Sequence, residues 1–209
     1  MQPSGTQVLD TPLRDVKLVQ PRRFGDERGW FAEFFNHPVF STLGLPSEFV
    51  QDNQSFSVRG VLRGLHYQIG RPQGKLVRCL SGHIWDVVVD LRRDSPEFGR
   101  HASFDLRPLT EQGELQMLWI PEGFAHGFLV LSETAEVLYK TTDLYHPAGE
   151  RCIRWDDPTL AIAWPLDLLP TGVAPSLSAK DALGSSFEEA EVYEARGASS
   201  TVASPGFAS

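Results

Sequence analysis

The chain has 209 residues, 41% of them hydrophobic, enough for one sizeable core and too little to require two domains. Its formal net charge of −8 argues against general nucleic-acid binding, because phosphate-tracking surfaces are basic overall, but leaves room for a few converging Arg and Lys around an anionic ligand. No stretch approaches the roughly 20 apolar residues of a membrane-spanning helix, and Met1-Gln2-Pro3-Ser4-Gly5 lacks the blocks of a signal peptide, so the expectation is a cytoplasmic protein with no membrane partner.

In chain order, Phe24 to Phe31 reads as a charged turn between apolar segments, with Glu33 beyond it. Asn36-His37-Pro38 predicts a short helix running to about Thr42, with Pro in its first turn and Gly44 ending it. From there the apolar residues fall in short runs broken by Gly, Pro and Asp: Val61-Leu62, Leu76-Val77, Ile84 to Val89, Met117 to Ile120 and Phe128 to Leu131. That spacing predicts many short strands in a sandwich or barrel. A second short helix is expected near Ser178 or Ser186. Residues 1–194 read as one domain, and 195–209, rich in Ala, Ser and Gly, as a disordered tail. The two cysteines, Cys79 and Cys152, have neither disulfide nor metal-ligand spacing and read as plain thiols.

Three segments offer chemistry. In Arg63-Gly64-Leu65-His66-Tyr67-Gln68, strand parity sends Arg63 and His66 to opposite faces, so both reach one pocket only if a bulge or twist lies near Gly64. The alternative is a structural His beside a surface Arg. In Pro121 to Phe128, a tight turn delivers a strand on which Phe124, His126 and Phe128 share a face, giving either a desolvated donor to a ligand phosphate or a buried structural His. In Val137 to Tyr145, Tyr139 and Tyr145 share a face if the strand is regular, offering a proton donor and a stacking surface, or merely core tyrosines.

Pro121-x-Gly123-x-x-His126 looks like the second signature of the cupin superfamily of β-barrels. Where the first cupin signature supplies His-x-His, this chain has His66-Tyr67-Gln68. His66 and His126 are too few for a catalytic metal, so no metal is expected.

Taken together, the chain resembles the dTDP-4-dehydrorhamnose 3,5-epimerase family. The matching stretches are Pro21 to Gly29, Phe49 to Asn53, Val61 to Gln68, Lys75 to Cys79, Trp119 to Phe128 and Tyr139 to Thr142. The resemblance implies an all-β, cupin-like jelly-roll barrel with a few short helices, a homodimer, no cofactor, and a thymidine-diphosphate-linked 4-keto-6-deoxy sugar as substrate. It places His66 at the base position, Tyr139 at the acid position, Asp181 as the carboxylate paired with the base, and Tyr145 as a stacking aromatic. Arg28, Glu33, Gln51, Asp52, Asn53, Arg63, Lys75, His126, Glu150 and Lys180 fall at or beside positions of ligand contact. Gln54 departs from the family, where His is common.

The implied reaction suits these residue types. Removing a proton beside a ketone needs a base near neutral pKa, met by a His paired with a carboxylate. The enolate needs a cation, met by Lys75 with Arg63. Inversion needs a donor on the opposite face, and Tyr139 is the candidate. A mono-epimerase, a metal-dependent cupin oxygenase and a non-catalytic sugar-binding module are the alternatives.

Overall fold

A computed structural model describes residues 5–194. The chain opens with β1 (Gln7–Asp10) and β2 (Lys17–Gln20), a hairpin of β3 (Arg23–Asp26) and β4 (Gly29–Ala32), and the helix α1 (His37–Thr42). Five longer strands follow: β5 (Gln51–Val58), β6 (Leu62–Gln68), β7 (Lys75–Ser81), β8 (Ile84–Asp90) and β9 (His101–Leu106). The set ends with β10 (Met117–Ile120), β11 (Phe124–Val130), β12 (Thr134–Thr141) and β13 (Glu150–Cys152). A 3-10 turn over Asp181–Leu183 stands where the second helix was expected, and Ser186 leads into a turn instead.

These strands form a six-stranded sheet, β1-β2-β10-β7-β12-β5, and a five-stranded sheet, β13-β6-β11-β8-β9, with β3-β4 as a separate ribbon. All the named strand pairs are antiparallel. The two large sheets are not closed on each other by strand pairing, so the expected all-β cupin-like jelly roll takes the form of an open sandwich. The segment around Phe24 to Phe31, expected as a turn, is a hairpin whose two-residue connection is Glu27-Arg28.

Alternation puts one face of each sheet into a shared core. Val77, Leu118, Ile120 and Val137 from the larger sheet meet Ile84, Val88, Phe104, Phe124 and Phe128 from the smaller. The outer faces are covered too. Leu160, Trp164 and Leu169 pack over Leu62, Leu65, Val87 and Leu129, while α1 lays Phe40 over Val19, Leu76 and Met117. Cover on both sides explains why β8 and β11 read as continuous apolar runs. The helix starts as its sequence requires, with Asn36 Oδ1 accepting the Val39 N–H and Pro38 in the first turn.

Candidate active site

Between the two sheets lies a cavity of about 400 Å³, lined by Gln51, Asn53, Ser55, Arg63, His66, Gln68, Gln73, Lys75, His126, Phe128, Tyr139, Tyr145 and Glu150 among others. Strand parity explains most of this set. On β5 the residues Gln51, Asn53 and Ser55 face inward, Asn53 sits opposite Tyr139 on β12, and Lys75 on β7 sits opposite Thr141, two residues from Tyr139.

The smaller sheet supplies the other wall. On β11, His126 and Phe128 are two apart, yet their partners on β6, His66 and Arg63, are three apart. One extra residue on β6 is a bulge, and it turns Arg63 and His66 to the same face, the condition on which a shared pocket depended. The bulge depends on glycine: Gly64 has φ +116°, and a Cβ there would lie 2.5 Å from Gly127 Cα and 2.7 Å from His126 O.

His66 lies between His126 on one neighbouring strand and Cys152 on the other. Its Nε2 is hydrogen-bonded to Asp181 Oδ1. Asp181 is buried, and its other oxygen accepts from Ser178 Oγ at 2.8 Å. Burial alone would raise the Asp181 carboxyl, but the His66 and Ser178 hydrogen bonds and the His66 charge bring it below the usual carboxylate range. Asp181 is therefore an ionised orienter for the imidazole.

Lys75 is half-buried with its ammonium inside the cavity, donating to the His66 carbonyl at 3.4 Å. Desolvation lowers it to about 8, against the opposing pull of Asp86 and Glu150. Tyr139 is raised by burial, with the Arg63 charge working the other way, so its phenol is a proton donor at neutral pH. Arg63 is held by Ser57 Oγ, 3.1 Å from its Nε. At the rim, Glu150 accepts hydrogen bonds from Tyr145 and from Lys180, and Tyr145 N–H donates to Gln51 Oε1 at 3.0 Å.

Asp86 was not among the expected site residues. It is fully buried on β8, raised by burial against the lowering effect of His126 and Lys75, and 2.8 Å from His126 Nε2. Its Oδ1 has no hydrogen-bond partner among the described residues. A lone carboxylate inside Ile84-Trp85-Asp86-Val87-Val88-Val89 was the available signal, since a charge in such a run needs a partner.

Two expectations need correction, and two further residues stand off the cavity wall of this chain. Tyr145 does reach the cavity, but not by parity with Tyr139: β12 ends at Thr141, and Tyr145 arrives on the loop beyond, half exposed. Asp52 points away from the cavity, because it alternates with Gln51 and Asn53, and it pairs outside with Lys140 at 2.9 Å. Arg28 lies on the β3-β4 turn, exposed and paired with Asp26. Glu33, just beyond β4, is exposed and likewise off the cavity wall of this chain. Cys152 and Cys79 are free, as expected, and burial pushes each thiol up to about 12.

A family model described as dTDP-4-dehydrorhamnose 3,5-epimerase matches residues 10–189. The dTDP-4-dehydrorhamnose 3,5-epimerase of Pseudomonas aeruginosa is 54% identical over 182 residues, covering 87% of this chain and 96% of that protein. Among solved structures, the Legionella pneumophila dTDP-6-deoxy-D-glucose-3,5-epimerase, in complex with dTDP-4-keto-L-rhamnose, superposes with a TM-score of 0.83 at 42% identity, covering 92% of this chain and all of that one. A 3′-monoepimerase of Streptomyces bikiniensis, in complex with dTDP-quinovose, is more distant, with a TM-score of 0.74 and 30% identity over 86% of this chain and 87% of its own. With the match running through every strand that builds the cavity, the chain belongs to the dTDP-4-dehydrorhamnose 3,5-epimerase family.

Proposed function

We propose that the chain inverts both carbons flanking the ketone of dTDP-4-dehydro-6-deoxy-D-glucose, giving dTDP-4-dehydro-L-rhamnose. The single observation that carries the mechanism is the placement of the two proton-transfer groups. His66 stands on the five-stranded sheet and Tyr139 on the six-stranded sheet, on facing walls of one cavity. Inversion requires a proton to leave one face of the carbon and another to arrive on the opposite face, and two facing sheets provide that.

In this reading His66, oriented by Asp181, takes the proton next to the ketone. The electron pair moves onto the carbonyl oxygen, and Lys75, with Arg63 and His126, holds the enolate charge. Tyr139 returns a proton to the other face. Nothing in these steps needs an electron acceptor or a metal, because the ketone itself accepts and returns the pair.

Tyr145, Glu150, Lys180, Gln51 and Asn53 form the outer ring that would meet the nucleotide part, with Tyr145 as the stacking surface. Arg28 and Glu33 serve the same ligand from a second copy of the chain. What supports a homodimer is the hairpin itself, which leaves Phe24, Trp30 and Phe31 exposed, at 48, 46 and 69%, beside a guanidinium suited to a diphosphate.

The test is incubation with dTDP-4-dehydro-6-deoxy-D-glucose in heavy water, read by NMR. Deuterium at both flanking carbons with an L-configured product is the expected result. Exchange and inversion confined to one carbon would make the chain a mono-epimerase.

A further inference from the structure

Cys152 has no part in the chemistry above, yet it stands beside the His66–Asp181 pair. Sheet register sets it directly opposite His66. Its Sγ lies 3.9 Å from Asp181 Oδ1, and the sulfur, one Asp181 oxygen and a ring nitrogen of His66 all fall within 4.8 Å of one another. The three residues come from β6, β13 and the Asp181–Leu183 turn. These segments are tied together by paired backbone hydrogen bonds, Leu65 to Ile153 and back at 3.0 Å each, and Ser185 N–H to Cys152 O at 3.0 Å. The cluster is thus a fixed feature of the sheet.

Zinc takes thiolate, imidazole and carboxylate at about 2.0–2.3 Å in a tetrahedron, which sets its ligands roughly 3.3–3.8 Å apart. The set here meets that spacing after side-chain shifts of about 1 Å. The imidazole is a third exposed, so an ion can arrive from the cavity, and the cavity side leaves a fourth position for water or a substrate oxygen.

We propose that His66, Cys152 and Asp181 form a site for a thiophilic divalent cation of the zinc class, which takes the place of the proton between His66 and Asp181 and so silences the base. Binding is a substitution without electron transfer. The thiol proton leaves to solvent as the sulfur–metal bond forms, and the proton between Nε2 and Oδ1 passes through solvent to Nδ1 as both atoms turn their lone pairs to the metal, which leaves the imidazole without a basic nitrogen. Only the effect on turnover rests on the proposed role of His66; the binding does not.

The experiment is a titration of chelator-treated full-length protein with Co²⁺ under argon, and with Zn²⁺ by calorimetry. The wild type should take one ion per chain and show a sulfur-to-cobalt charge-transfer band. Cys152→Ser should lose the band and bind Zn²⁺ at least about tenfold more weakly, while keeping most metal-free turnover. Stoichiometric Zn²⁺ should abolish wild-type turnover, reversibly with chelator, and spare Cys152→Ser. Should Cys152→Ser fail to fold by circular dichroism, His66→Asn takes its place in the calorimetry, with the same expected weakening. The proposal is overturned by the absence of a thiolate band in the wild type, or by equal Zn²⁺ affinity in the wild type and the folded variant. A wild type inactive without metal would fail the proposed reaction, and the cobalt band would still decide the site.

Discussion

At the scale of single residues, Lys75 carries the clearest pH signature. Desolvation in the cavity brings its ammonium from 10.5 to about 8, so the cation is present below that value and lost as pH rises through it. An enolate needs the cation, and turnover should therefore decline above about pH 8. Lys75→Arg holds its charge to higher pH and should move the alkaline limb upward, whereas Lys75→Ala should lower kcat by about 10²–10³ with a smaller rise in KM. The pH–rate profiles of the three proteins check this. An alkaline limb that stays in place in Lys75→Arg would take Lys75 out of the enolate-holding role.

Among the elements, β6 and the β3-β4 hairpin each make a prediction. Gly64→Ala forces a Cβ into Gly127 Cα and His126 O at a positive φ, so it should cost roughly 3 kcal/mol or more and lower the melting temperature markedly. An unshifted melting curve would mean that the bulge tolerates a side chain and does not set the Arg63–His66 alignment. The hairpin prediction concerns Arg28. If it works on the partner's cavity, Arg28→Ala should raise KM more than it lowers kcat. Mixing it with inactive His66→Ala, after unfolding and refolding together, should restore activity in the mixed dimer, which has one intact site in two. A mixture no more active than its parts would mean that Arg28 does not work on the partner's cavity.

These elements also show how far the residues could be read in advance. The bulge at Gly64 was legible because two polar residues three apart on a strand cannot otherwise share a face. Alternation likewise orders Gln51, Asn53 and Ser55 inward, and the same alternation excludes Asp52, which the family match had swept in with its neighbours. Tyr145 was misread because nothing local in Thr141-Thr142-Asp143 marks the end of the strand; there Thr142 Oγ1 accepts the Gly74 N–H and Thr141 Oγ1 turns to the Asp143 carbonyl. Asp181 lies 115 positions from His66, so its pairing came only through the resemblance. Asp86 was visible as a charge in an apolar run, but its partner His126 comes from a neighbouring strand that periodicity alone does not identify. The expected tail, 195–209, lies outside the described residues, and among those described no helix is long and apolar enough to cross a membrane.

For the whole molecule, the sandwich is what makes one cavity able to treat two faces of a carbon differently. In the proposed reaction a proton-transfer group from one sheet faces another from the second, and the two sheets are packed through the shared core of Val77, Val137, Phe124 and Phe128. The most direct test is Tyr139→Phe, which keeps the ring and removes only the hydroxyl that carries the proton. With substrate in heavy water, mass spectrometry and NMR measure deuterium in recovered substrate against inverted product. Exchange from the His66 side should continue while inversion falls by about 10²-fold or more, with substrate affinity changed far less. Product formation near the wild-type rate, or exchange and inversion lost together, would contradict two groups acting from opposite sheets.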